Sequence, residues 1–108
     1  MADWNAEIQA EFERASQARQ RSNEGQARVC ARRAAGIAVR EYLSRRGLRP
    51  PSTSAYDLLN LVKEDPEFPA DLKQIAEHLT VRVNEEFQLP VDVDLVAEAM
   101  EFCDGLLK

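Results

Sequence analysis

Cysteine, histidine and aromatic residues are scarce in this chain, and their scarcity narrows its chemistry. The 108 residues include two cysteines, one histidine, one tryptophan and two tyrosines. Cys30 and Cys103 are far apart, and each lies in an apolar pattern typical of a helix. Two such residues indicate buried, reduced thiols rather than a disulfide or a metal site. We therefore expect neither a metal ion nor a cofactor.

Long uncharged apolar runs are also missing. A membrane-spanning helix needs about 20 predominantly apolar residues in succession, so we expect no association with a membrane. Residues 1–14 are acidic and amphipathic and lack the basic and apolar regions of a signal peptide, which favours a cytoplasmic protein. With 44% hydrophobic and 31% charged residues, the composition is that of a globular protein, and the length fits one domain over residues 1–108.

Charge is distributed unevenly along the chain, although the net charge is only −5. Residues 23–55 contain seven arginines and two glutamates, whereas residues 56–108 contain thirteen acidic and four basic residues. A protein coated by nucleic acid would be basic throughout. The pattern instead predicts one arginine-bearing face on an otherwise acidic body.

Apolar residues recur at helical spacing over most of the sequence. The predicted helices cover about residues 3–21, 24–46, 55–63 and 70–87, and a fifth, capped by Asp92 or Asp94, continues to the C-terminus. Residues 81–83 alternate in polarity but lie within a longer helical period, so no strand is predicted. The expected fold is all-α, a four- to five-helix, mostly antiparallel up-and-down bundle.

Helix ends can be predicted from local signals. Asp3 and Ser54 are suitable N-caps, Gly47 is a suitable residue just past a C-terminus, and Pro69 suits the first position of a helix. Residues 23–25 are the expected break between the first two helices.

The second predicted helix carries alanines along one stripe, which lets a neighbouring backbone approach closely. Gly36 lies in its interior, where glycine costs about 1 kcal/mol relative to alanine. Close approach of another helix would explain its presence.

Several features together resemble the HEPN domain family. They are the segment G-x-A-R-x-x-A-R-R-A-A at residues 25–35, a Pro-Pro-Ser loop at residues 50–52, the segment D-L-L-x-L-V at residues 57–62, a long fourth helix with a proline near its end, and an Asp94…Ala99 spacing in the last helix. The similarity covers about residues 20–107. It implies a helical bundle that is usually a homodimer and often pairs with a nucleotidyltransferase-type partner.

Several branches of that family are ribonucleases with an Arg followed four to six residues later by His, and this sequence departs from that pattern. Its only histidine, His78, has no arginine at the required distance before it, and no histidine follows Arg82. Tyr56 stands where many members have His, and Gln88-Leu89-Pro90 replaces an Arg-Tyr-Pro segment. The resemblance therefore implies a non-catalytic member that binds a partner, and it makes ribonuclease activity the only enzymatic alternative.

The arginines of the second helix are the candidate ligand site. A guanidinium presents a planar set of donors that matches phosphate and carboxylate, so a nucleotide, an RNA or another anion is a conceivable ligand of four residues: Arg28, Arg32, Arg33 and Arg40. The alternative is that these arginines pair with the acidic residues of the later helices, within the chain or across a dimer.

Three functional hypotheses stay open on the sequence. The first is the non-catalytic binding module. The second is a ribonuclease toxin with a degenerate motif that uses His78 and Arg82, and the third is a purely structural dimerisation domain. His78 is expected at a surface or an interface. The stripe of Trp4, Ile8 and Phe12 is expected in the core, with a partner-binding surface as the alternative.

Overall fold

The computed structural model describes residues 3–81 and 93–107, and this part of the chain is all-helical, as predicted. Its helices are α1 (Trp4–Gln20), α2 (Glu24–Arg45), α3 (Ala55–Lys63), α4 (Ala70–Thr80) and α5 (Leu95–Leu106). The helices pack around α2, which contacts all four of the others.

The central position of α2 follows from its small side chains. Five alanines of α2 are fully buried: Ala27, Ala31, Ala34, Ala35 and Ala38. Because they lie on more than one side of the helix, neighbours can approach α2 from several directions. Gly36 marks the closest approach, since a Cβ there would lie 2.6 Å from the Cβ and 2.8 Å from the Cα of Ala55. The expected close contact is thus confirmed, and α3 is the helix that makes it.

Most of the predicted helix ends are confirmed. The carboxylate of Asp3 accepts hydrogen bonds from the backbone N–H groups of Asn5 and Ala6. Gly47 has φ of +73° and lies just past α2, and the N–H of Leu48 donates to the carbonyl of Leu43 at 2.9 Å. This is the bonding pattern of a Schellman cap. Ser54 and Asp94 cap α3 and α5.

Two other helix boundaries differ from the prediction by one or two residues. The break between α1 and α2 lies at residues 21–23, where Ser22 has φ of +59° and Asn23 caps α2, so that Gly25 is already helical. Pro69 is the N-cap of α4, one position before the predicted one.

The predicted C-terminus of α4 is wrong, because the helix ends at Thr80 and Val81 is extended at φ −68° and ψ 131°. The hydroxyl of Thr80 donates to the carbonyl of Ala76 at 3.0 Å and accepts from Lys63 Nζ of α3. Arg32 Nε of α2 donates to the carbonyl of Leu79 at 2.7 Å. Contacts from two other helices therefore fix this end, and the apolar period could not reveal them. Residues 82–87 of the predicted helix lie outside the described residues.

Candidate functional site

The four candidate arginines do not form one face. At about 100° per residue, Arg28 and Arg32 point in one direction from α2, whereas Arg33 and Arg40 point in another. Arg32 contacts the end of α4 through its bond to the carbonyl of Leu79, and it has a further partner. Arg32 is half-buried and bonded within the protein, so its side chain is part of the α2–α4 contact.

Arg33 and Arg40 line a surface pocket of about 420 Å³ between α1, α2 and the start of α3. The pocket also contains Glu7 and Glu11 of α1 and the N-cap Ser54. Its formal charges balance, with two arginines and two glutamates. Arg40 lies 4.0 Å from Glu7, whereas Arg33 is exposed and bonds to no described residue. The pocket therefore offers one uncommitted guanidinium.

Arginines outside the candidate group pair with acidic residues. Arg19 contacts Glu24 at 2.8 Å and Asp94 at 2.8 Å, which joins the α1–α2 turn to the start of α5. The carboxylates raise the pKa of Arg19 further, and the Arg19 guanidinium, with the N–H of Ala97, holds the pKa of Asp94 below its usual range. Arg45 pairs with Glu41 one turn earlier. These guanidiniums are already occupied by protein carboxylates.

His78 is half-buried at the contact between α4 and α5. Its Nδ1 is 2.7 Å from Oε1 of Glu98, which is also half-buried. The pair connects α4 to α5. Arg82, its proposed partner in the ribonuclease hypothesis, lies outside the described residues.

Both cysteines are free and buried, as expected. The thiol of Cys103 contacts the carbonyl of Ala34 at 3.6 Å. Burial, with a smaller effect of Asp104, raises the pKa of Cys103 to about 12. A thiol in that state is protonated at neutral pH and is a poor nucleophile. Within residues 3–81 and 93–107, no group of three or more His, Cys, Asp or Glu side chains could hold a metal ion.

A second open feature of the described residues is a groove between α1 and α5 that the sequence did not predict. Both helices pack along α2 but barely contact each other. The groove has two compartments of about 490 and 410 Å³ that share Phe12 of α1 and Met100 of α5. We call it the α1/α5 groove, and its apolar lining is Trp4, Ile8, Phe12, Val96, Met100, Cys103 and Leu107.

Met100 lies at the centre of the α1/α5 groove and is 44% exposed. In this position its side chain is not covered by any described helix. The same α1 stripe that was expected in the core, Ile8 and Phe12, is buried and forms the wall of the groove. The expectation that Ile8 and Phe12 lie in the core is therefore confirmed, and the alternative of a partner-binding surface stays a prediction. The missed signal was Met100, which continues the apolar stripe of α5 outward from Val96 and Cys103.

Comparison of the chain with protein-family models, with curated proteins and with solved structures finds no match. The HEPN resemblance therefore stays a prediction. None of the described helices is long and apolar enough to cross a membrane.

Proposed function

We propose that the protein is a non-catalytic helical module that binds a partner protein through the α1/α5 groove. The observation that supports it is the position of Met100, an exposed apolar side chain at the centre of a groove walled by Phe12 and Ile8. Burial of apolar surface stabilises an association by about 25 cal/mol per Å². An apolar groove with polar edges is a common feature of sites that bind other proteins.

The candidate reactive side chains support a non-catalytic role. His78 is bonded to Glu98 between two helices, and Cys103 has a raised pKa and contacts a backbone carbonyl. A catalytic histidine or thiol needs access to substrate and a suitable protonation state. Absence of RNA cleavage by the purified protein over a broad RNA panel would support this part of the proposal, and cleavage that is lost in His78→Ala would contradict it.

The HEPN resemblance suggests the class of the partner protein. On that basis we propose a nucleotidyltransferase-type protein as the partner, in the cytoplasm, with the module as a homodimer. The molar mass of the purified protein tests the dimer, and the identity of the captured protein tests the partner class.

A matched pair of variants tests the groove. Met100 and Leu61 are similarly exposed, at 44% and 42%, but Leu61 lies on α3, away from the groove. Tagged wild type, Met100→Asp and Leu61→Asp are used to capture proteins from a lysate of the source cells, and the captured proteins are quantified by mass spectrometry. We expect a specific partner that is retained by Leu61→Asp and reduced about tenfold or more by Met100→Asp, the loss typical of a central interface residue. Equal capture by all three forms would contradict the proposal.

A second candidate function is the binding of a nucleotide or an RNA at Arg33 and Arg40, favoured by the uncommitted guanidinium of Arg33. A ligand that binds the native state raises the unfolding midpoint by mass action. We expect ATP, another nucleotide or a short RNA to raise the midpoint of wild type but not of an Arg33→Gln, Arg40→Gln variant. Arg32 is unsuitable for this test because its replacement also removes the bond to Leu79. No shift with any ligand would end this candidate.

A further inference from the structure

We infer that the occupant of the α1/α5 groove is an amphipathic helix of a partner protein whose apolar stripe is flanked by lysine or arginine. The inference rests on the proposed function and adds to it the chemistry of the partner. It is carried by the shape of the groove and by the sign of the charges along its edges.

The α5 edge of the groove is acidic. The charged residues of α5 and its N-cap are all acidic: Asp94, Glu98, Glu101 and Asp104. Glu98 is bonded to His78 and Asp94 to Arg19, whereas Glu101 and Asp104 are exposed and bond to no described residue. Asp104, one turn after Met100, lines the groove, and Glu101 lies about 60° beyond Asp104 around α5, on the solvent side of the same edge.

The α1 edge of the groove adds amides and another acid. Asn5, Gln9, Ser16 and Gln20 line it. Glu13 is exposed one turn after Gln9, about 40° further around α1, next to the residues that line the groove rather than among them. Two described cations lie at the ends of the groove. The guanidinium of Arg19 is held by Glu24 and Asp94, and that of Arg45, 5.2 Å from the centre of the Trp4 ring, is paired with Glu41. Over the described residues, the edges therefore attract positive charge.

The end of α5 strengthens this preference. A helix C-terminus carries a partial negative charge and is favoured by nearby cations. The last turn of α5 has no basic residue and ends beside Asp104. Arg45 Nη1 donates to the carbonyl of Leu107 at 3.3 Å, but Arg45 is also paired with Glu41. A lysine of an occupant near Leu107 would therefore meet both a helix terminus and a free carboxylate.

The dimensions of the groove suit a helix. From Trp4 to Arg19 the α1 wall spans about 22 Å, which equals about 15 helical residues. An amphipathic helix places apolar side chains in such a groove at positions i, i+3 or i+4, and i+7. The two compartments, which meet at Phe12 and Met100, correspond to successive anchor side chains of that helix.

A second copy of the chain fits the groove less well. In a two-fold dimer the same surface patch is present on both sides. Joining two such grooves would bring Glu101, Asp104 and Glu13 of one copy near the same acidic set of the other. Over the described residues, the unpaired charges beside the groove are acidic, so two copies would repel each other there. We therefore assign the groove to a positively charged partner.

The test uses designed peptides and the single tryptophan. Trp4 lines the groove and is the only tryptophan of the chain, so its emission reports occupancy by tryptophan-free peptides. The first peptide has about 18 residues, with leucines in one helical stripe and lysines beside it. The second replaces every lysine by glutamate, and the third has the composition of the first but scrambled, so that the leucines form no stripe.

We expect the lysine peptide to shift Trp4 emission saturably and to bind at least tenfold more tightly than the glutamate and scrambled peptides at about 0.01 M salt, where charges act over about 30 Å. The preference over the glutamate peptide should shrink at about 1 M salt, where this range falls to about 3 Å. Glu101→Lys, Asp104→Lys should reverse the preference. The control Asp71→Lys, Glu77→Lys makes the same charge change at exposed positions of α4 outside the groove and should retain the preference.

The outcomes separate this inference from the proposed function. Equal binding of the lysine and glutamate peptides, or preference for glutamate, overturns the inference but leaves the groove as a partner site. No binding together with a stable dimer that Met100→Asp dissociates assigns the groove to a second copy and overturns the inference. No binding by a monomer also overturns it, and the lysate comparison of Met100→Asp with Leu61→Asp then decides the proposed function by itself.

Discussion

Helix α5 has two sides that differ in how they meet their neighbours. Towards α4 and α2 it is closed, with Phe102 and Ala99 fully buried and Glu98 bonded to His78. Towards α1 it is open, and the contact that bridges the two helices is the ion pair of Arg19 with Asp94 at one end. The closed side is built from buried apolar residues and the pair of His78 with Glu98, whereas the open side exposes Met100. Core packing accounts for the buried lining of the α1/α5 groove, such as Ile8 and Phe12, so Met100 is the lining residue whose exposure the fold leaves unexplained.

Among the contacts between two helices, the largest expected effect is at Gly36, where α2 and α3 approach each other most closely. We expect Gly36→Leu to lower the free energy of unfolding by about 3 kcal/mol, the upper end for an overpacked core, because its Cβ would overlap Ala55. Urea unfolding followed by circular dichroism measures the change. Gly25→Ala is the control, since the nearest atom to its Cβ would be 3.9 Å away, and it should leave stability unchanged or increase it. A loss of less than about 1 kcal/mol for Gly36→Leu would contradict the described crossing.

The second prediction tests the hydrogen bond between His78 and Glu98, which links α4 to α5. Hydrogen bonds to charged groups contribute about 1.5–3 kcal/mol when buried, and this pair is partly exposed. We therefore expect Glu98→Ala to lower the free energy of unfolding by about 1.5 kcal/mol. A double-mutant cycle with His78→Ala isolates the interaction. Additive losses in the cycle would show that the two side chains do not interact.

The third prediction concerns the ion pair at the end of the open side. The pKa of Asp94 is lowered in the folded protein from 3.8, so its stabilisation is present above that value and is lost as the pH falls through the lower folded pKa. Asp94→Asn removes the charge but retains a good N-cap. Because the pair is largely exposed, we expect wild type to exceed this variant by only about 0.5 kcal/mol at neutral pH.

The pH dependence provides the control for that pair. The advantage of wild type should disappear as the pH is lowered through the depressed pKa of Asp94 in the folded protein, and salt should reduce it at neutral pH. An advantage that is independent of both pH and salt would mean that the asparagine disturbs the cap rather than the charge pair.

Helix ends and close contacts could be predicted when their causes are local. Asp3, Ser54 and Asp94 lie next to the backbone groups that they cap, and Gly36 stands out because glycine is unfavourable within a helix. The end of α4 could not be predicted in this way, because it depends on Arg32 and Lys63 from other helices.

The candidate site was only partly predictable, for a similar reason. The helical angle of about 100° per residue suffices to separate two sides of α2. It places Arg28 and Arg32 on one side and Arg33 and Arg40 on another, so this part of the site was predictable from the sequence. The α1/α5 groove depends on two helices, 75 residues apart at the Arg19–Asp94 link, that both pack on α2 but not on each other. The apolar periodicity of one helix does not show which other helix leaves part of it uncovered.

The smallest expected effect on stability is at Met100, and it tests most directly the difference between the closed and the open side of α5. Substitutions of exposed residues outside special contacts change the free energy of unfolding by about 0.5 kcal/mol or less, so we expect Met100→Ser to fall within that range, as should the control Leu61→Ser. On the closed side, Phe102→Ala should cost about 3–5 kcal/mol. Urea unfolding of the three variants measures the contrast.

If Met100→Ser instead destabilised the protein as a core substitution does, Met100 would be covered in solution and the groove would be closed. If its stability is unchanged while partner capture by Met100→Asp falls, the side chain serves binding, because a residue that contributes nothing to folding and much to association belongs to an interface.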